Sequence, residues 1–417
     1  MNIYISGISG TGMGPLALMA KAAGFNVCGS DKMAGAILPE LEKAGIEVKI
    51  GEQDGKFLKT KLDNLDWFCY TSALPADHPE LMIAKTAEVK CTKRDDLTAF
   101  LVSELKLKMV AIAGTHGKTT TTSMIIWAGL KLGLPISYLA GTTLGFATSG
   151  AYHMSDKYFI YEADEYDRNF LKYNPWLAVL PYVSYDHPDI YQTQEDYDRA
   201  FDQFREQSEK IIELSKNGIK WENTREPEFR AEDFDLAGEV RRKDASLAAN
   251  AIAEILYDYG KNVDRQELIG VLNDFPGVGR RFEKLADGIY TDYAHHPEEI
   301  KATIEIATEE AKKNGLKGVV VIYQPHQNSR QHKIRSEYVD AFDGASKVFW
   351  LPTYLVREDP SLPILTPEEL SVGIENVEFL KLNVELKEKI VELKNAGYLV
   401  ILMTAGPADE WLRKNIL

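Results

Sequence analysis

Cysteine is scarce: 417 residues contain three, Cys28, Cys69 and Cys91. Their spacing suits neither a metal site nor a disulfide framework, so a reducing, cytoplasmic setting is the expectation. No apolar run approaches the ~18 residues of a membrane span, and no membrane partner is expected. The opening segment lacks a basic n-region and carries Gly7, Gly10, Gly12 and Gly14, unlike a signal peptide. Positive charge is also short: 48 Lys and Arg stand against 63 Asp and Glu, a formal net charge of −15. That balance argues against a nucleic-acid partner but permits an anionic small molecule, because local fields in a cleft decide its binding. There is no G-x-S-x-G elbow, no Cys/His nucleophile motif, no fixed-period repeat and no low-complexity tract.

Two glycine turns are present. MVAIAGTHGKTTTT, from Met109, reads as a buried strand, a turn and a helix start. Gly114 and Gly117 let the backbone reverse so that N–H groups point inward around Thr115 and His116. Lys118 adds charge, the helix adds its dipole, and Thr119 or Thr120 can place a hydroxyl on Mg2+. This is a polyphosphate site, although Ile112 stands where the usual motif has its first glycine. The chain also opens with a strand, a turn carrying Gly10, Thr11, Gly12 and Met13, an apolar helix, and a second strand ending at Asp31. That is a mononucleotide-binding βαβ start with an acid placed for a ribose or sugar hydroxyl. A nicotinamide-dependent oxidoreductase would use only this first turn and leave the phosphate loop without a role.

Strand-like and helix-like segments alternate along the chain, which predicts an α/β fold of mostly parallel sheets. Residues 196–215 and 244–259 read as amphipathic helices, and 216–243 as an irregular connection. Boundaries near 106 and 279 predict three domains, 1–106, 107–279 and 280–417. Further chemistry falls at strand ends. YFIYEADEYD ends a strand in acids, with Glu162 a candidate Mg2+ ligand. A second strand runs into Asp186-His187, where His187 is a candidate for metal or substrate contact. FPGVGRR carries Arg280 and Arg281, suited to phosphate. TDYAHHP carries Asp292 and His295, and QPHQNSR carries His326 and Arg330, the latter suited to a carboxylate.

AGTHGKTTTT, EADE, DHPDIY, GVGRRFE and DYAHHP, in this order, resemble the Mur ligases of peptidoglycan synthesis. The motifs GISGTGMG, GSD, TSALPADHPE and KRDDL extend the likeness through the first hundred residues. The resemblance implies a Rossmann-like UDP-sugar domain, a central P-loop ATPase domain and a Rossmann-like C-terminal domain for the amino acid. It implies ATP and Mg2+, with Thr119, Glu162 and His187 toward the metal and Arg281 toward ATP. It also implies that Asp292 holds the nucleotide or the amine, that His295 lies near the reacting groups, and that Ser72 and the first glycine turn contact the sugar nucleotide. The implied substrates are UDP-N-acetylmuramate and L-alanine, joined through an acyl phosphate by a monomer or homodimer. A tripeptide-adding recycling ligase and a non-catalytic UDP-sugar-binding homologue are the alternatives. The chain departs from the family where a His-Asn pair and a second Asn usually hold adenine: here stands Lys243-Asp244-Ala245-Ser246-Leu247. It carries Tyr166 after EADE, as the recycling ligase does, and Gln327 where the alanine-adding members usually have Arg.

Overall fold

A computed structural model describes residues 1–416 except Ser72, Pro188, Asp189, Asn217 and Arg357. The expected substrate contact Ser72 therefore lies outside the described residues. Three sheets carry the fold. The first contains β1 (Asn2–Ser6), β2 (Asn26–Asp31), β3 (Glu47–Ile50), β4 (Trp67–Tyr70) and β5 (Lys90–Lys93), all parallel in the order β3-β2-β1-β4-β5. The second contains β6 (Lys108–Ile112), β7 (Ile136–Leu139), β8 (Gly150–Ala151), β9 (Tyr158–Glu162), β10 (Leu177–Leu180), β11 (Ile211–Ser215) and β12 (Gly218–Glu222). Its order is β12-β11-β10-β6-β9-β7-β8, parallel except for the edge strands β8 and β12. The third contains β13 (Glu283–Ala286), β14 (Ile289–Asp292), β15 (Val319–Gln324), β16 (Ala345–Trp350), β17 (Val377–Phe379) and β18 (Leu399–Thr404). It runs β13-β14-β18-β15-β16-β17, with only β13 antiparallel.

The first two sheets belong to one compact unit, Met1–Phe234 with Lys243–Phe275; the third belongs to another, Asp235–Arg242 with Pro276–Leu417. Strand periodicity explains why the sheets are covered on both faces. In the third sheet Val319, Val321 and Tyr323 enter one core with Leu399, Ile401 and Met403. Val320 and Ile322 enter the opposite core with Val400 and Leu402. Every residue of β15 and β18 is buried, as central parallel strands between helices require. The first sheet behaves alike, with Ile3 and Ile5 on one side and Tyr4 on the other.

Two segments differ from the sequence reading. The helix expected over 196–215 spans Gln194–Glu206, and Ile211–Ser215 is strand β11. Its β-branched pair Ile211-Ile212 lies parallel to Ala178-Val179 of β10, a slot that a continued helix would leave with open backbone groups. The polar stretch after it is partly ordered as β12, antiparallel to β11. No helix among the described residues is long and apolar enough to cross a membrane.

Candidate active site

Register builds the glycine loop after β6. Ile112 of β6 pairs with Glu162 of β9 and with Val179 of β10, so three strands end side by side and their following residues emerge at one edge. The turn after β6 is tight. Gly114 has φ 148° and Gly117 φ 82°, at the start of the helix Lys118–Lys131. A Cβ on Gly114 would lie 2.6 Å from the Tyr182 carbonyl oxygen, and one on Gly117 2.7 Å from Asp244 Oδ1. Neither position admits a side chain without rearrangement. Thr115 closes the loop: its N–H donates to Tyr182 O at 2.7 Å and its hydroxyl to Ser184 O at 2.6 Å. His116 stacks on Tyr182, with centroids 5.9 Å apart.

Lys118 reaches back into the loop. Its Nζ donates to Gly114 O at 2.5 Å and to both oxygens of Glu165, at 2.7 and 2.6 Å. Burial works against both charges, yet each holds the other: Lys118 titrates above its ordinary range and Glu165 below. His187 Nε2 stands 3.3 Å from Glu165 Oε1. Burial lowers its pKa, but Glu165 and Asp186 more than offset this and raise it. Asp164, raised by burial and by Glu165, feels both Lys118 and Arg94, the latter at the start of the helix Arg94–Glu104. Thr119 Oγ1 donates to Glu162 Oε1 at 3.0 Å. Thr120 follows it on the same helix. The sequence reading singled out Glu162 and missed Glu165. The signal was the second glutamate of EADE, three residues on, but only the fold shows that it meets Lys118.

On the first sheet, Gly10 N donates to Gly7 O at 3.1 Å, and Gly10 O accepts Met13 N, forming the turn that carries Thr11 and Gly12. Asp31 braces this turn: its Oδ2 accepts Ser9 N at 2.8 Å.

In the second unit, Asp292 is buried and both its oxygens accept backbone N–H groups, from Phe282 at 2.6 Å and Ala294 at 2.7 Å. It thereby sets the turn that carries Arg281, whose guanidinium lies 5.1 Å from the Tyr293 ring. His295 Nδ1 stands 3.0 Å from Tyr293 O, and its ring is 5.9 Å from that of His326. Burial lowers the pKa of His295. Burial, then His295 and Arg330, push His326 down to about 4. Among the described residues, His326 Nδ1 is buried without a hydrogen bond. So Arg281, Asp292, His295, His326 and Arg330 gather in this unit, and Lys118, Thr119, Glu162 and His187 in the other.

A pH test follows for His326. An unfolded histidine takes its proton near pH 6.5, whereas the folded one waits until about 4. As pH falls between these values the unfolded chain binds more protons, so this group lowers stability as pH falls. Urea midpoints at pH 7 and 5 are expected to fall less for His326→Gln than for the parent chain. An equal fall would show that His326 is not held neutral.

Oxygen donors suit Mg2+, which takes one or two carboxylates and completes its shell with phosphate and water. Thr119 and Glu162 are such a pair. Among the described residues no group of three or more His, Cys, Asp or Glu is gathered for a metal, so a dedicated all-protein cage is absent there.

The chain matches the models of the Mur ligase family, catalytic domain, over residues 2–105 and the Mur ligase middle domain over 112–239. It is 31% identical to the UDP-N-acetylmuramate–L-alanine ligase of Fusobacterium nucleatum, covering 97% of this chain and 94% of that protein. It is 29% identical to the enzyme of the same name from Clavibacter michiganensis, covering 97% and 90%. A UDP-N-acetylmuramate-alanine ligase structure from Thermotoga maritima superposes with TM-score 0.75 at 21% identity, covering 100% and 98%. A murein peptide ligase from Psychrobacter arcticus gives TM-score 0.57 at 21% identity, covering 100% and 98%.

Proposed function

Because the chain belongs to the Mur ligase family, we propose that it joins the lactyl carboxylate of UDP-N-acetylmuramate to L-alanine in an ATP-dependent ligation. The observation that carries this reading is Lys118, half-buried at the mouth of a glycine turn and held by Glu165 beside the Thr119–Glu162 pair. Full-length relatives named for this ligation support the substrates.

The chemical problem is charge, since a carboxylate must approach a triphosphate. Its oxygen attacks the γ-phosphorus, ADP leaves, and an acyl phosphate forms. The amine then attacks the carbonyl, and the tetrahedral adduct collapses to amide and phosphate. Lys118 and the loop N–H groups would neutralise the phosphates, where preorganised donors contribute most. Mg2+ held by Thr119 and Glu162, with His187 beside them, would supply further charge neutralisation. The glycine turn of residues 10–13 would take the UDP-sugar, with Asp31 bracing it. Arg330 would hold the amino acid's carboxylate, the neutral His326 would face its amine, and Arg281 would meet phosphate. Asp292 would position the segment carrying Arg281 and His295. This assigns residues 1–106 to the sugar nucleotide, 107–279 to ATP and 280–417 to the amino acid, in a cytoplasmic monomer or homodimer.

The test is phosphate release with UDP-N-acetylmuramate and a panel of L-Ala, Gly, L-Ser and the tripeptide. Release is expected only when both substrates are present, and fastest with L-Ala. Preference for the tripeptide would instead identify the recycling ligase, the reading that Tyr166 favours. No release with any amine would leave a sugar-nucleotide-binding homologue.

A further inference from the structure

The positions that hold adenine elsewhere in the family have other work here. Asp244 Oδ1 accepts the Thr121 hydroxyl at 3.2 Å, and Leu247 is fully buried with no polar side-chain atom. A cavity of about 370 Å³ opens beside the adjacent residue, Lys243, and falls within the range of small-molecule sites. One wall is the hairpin β11–β12. Ile212 pairs with Trp221 and Leu214 with Ile219, so these four side chains share one sheet face. The loop that follows contributes Pro227 and Phe229. That loop is fixed by the buried Asn250, whose Oδ1 accepts Glu228 N at 2.9 Å and Phe229 N at 3.2 Å, while its Nδ2 donates to Phe229 O at 2.8 Å. Trp221 lines this preformed slot yet remains 46% exposed, a large planar surface left uncovered on an edge strand. The slot also lies within a nucleoside's reach of the Gly114–Thr119 loop, because Asp244, next to Lys243, packs against it: its Oδ1 accepts the Thr121 hydroxyl and would lie 2.7 Å from a Cβ placed on Gly117.

We infer that this hairpin slot receives the base of the nucleotide whose phosphates occupy the Gly114–Thr119 loop, with the planar ring packed on Trp221 and Lys243 at its polar edge. The inference rests on the ATP-dependent reading above. It replaces amide recognition of the base by stacking, which tolerates any aromatic base and is worth about tenfold or more in affinity.

Calorimetric titration of the parent chain, Trp221→Ala and Ala231→Trp with ATP and with tripolyphosphate tests it. Ala231 also lines the slot, so the second variant fills what the first empties and guards against a loss through misfolding. The parent is expected to bind ATP more tightly than tripolyphosphate. Both variants are expected to lose about tenfold in ATP affinity and to keep their affinity for tripolyphosphate. Unchanged ATP affinity in both variants would overturn the base site, as would equal affinity of the parent for the two ligands. If the parent binds neither, the ATP reading falls and takes this inference with it.

Discussion

Lys118→Ala is expected to abolish ligation while leaving binding of UDP-N-acetylmuramate unchanged. Its ammonium donates to the loop carbonyl of Gly114, and the turn proposed for the sugar nucleotide follows a strand of a different sheet. Loss of one preorganised donor in a dry site costs on the order of 10²-fold or more in turnover, about 3 kcal/mol. The same change also strands Glu165, which is 1% exposed, with His187 as its remaining ion-pair partner among the described residues. Breaking a buried pair from one side costs about 3–5 kcal/mol, so the variant should unfold at lower urea as well. The two effects separate in Lys118→Met combined with Glu165→Gln. That double variant should recover most of the stability and none of the turnover. Near-normal turnover in Lys118→Ala would remove the phosphate-loop assignment.

Glu80→Ala should be the most damaging change on the first sheet. The carboxylate is 1% exposed at the start of the helix Pro79–Thr86. It accepts hydroxyls from Tyr4 at 2.7 Å, Ser6 at 2.7 Å and Ser30 at 2.8 and 2.7 Å, with the Gln53 amide at 3.3 Å. Truncation leaves three hydroxyls desolvated beside a cavity, a loss of roughly 3–5 kcal/mol. Function should suffer too, because Ser6 ends β1 immediately before the glycine turn and Ser30 precedes Asp31 at the end of β2. Affinity for UDP-N-acetylmuramate is expected to fall with stability, and Glu80→Gln should lie between, since its amide keeps one acceptor. A urea-derived loss below about 1 kcal/mol would show that these hydroxyls find other partners.

Local pattern was enough for much of the fold. Apolar strands followed by glycine turns marked β1 and β6, and apolar runs marked β15 and β18, because a central parallel strand covered on both faces is apolar at nearly every position. It failed at Ile211–Ser215, where a short apolar run after a helix suits either state. Pairing with Ala178-Val179 decides it, and that partner lies more than thirty residues away in the chain.

The site divides in the same way. Residue type and order alone pointed to Gly114–Thr120 as a candidate phosphate loop with the acids of EADE beside it, since that chemistry depends on a few contiguous groups, and the structure does bring those acids to Lys118 and Thr119. Only the tertiary structure decided which acid meets Lys118. The backbone places Glu162 toward Thr119 and carries Glu165 a further turn inward, where Lys118 and His187 converge on it. Tertiary structure likewise gave Asp31 and Asp292 bracing roles, because backbone N–H groups near them in space needed acceptors. Glu80, Asn250 and Trp221 stood out in no motif. The groups that matter to Glu80 and Asn250 lie 21 to 76 positions away, and Trp221 depends on its pairing with β11, so sheet order and helix packing decide what no local motif records.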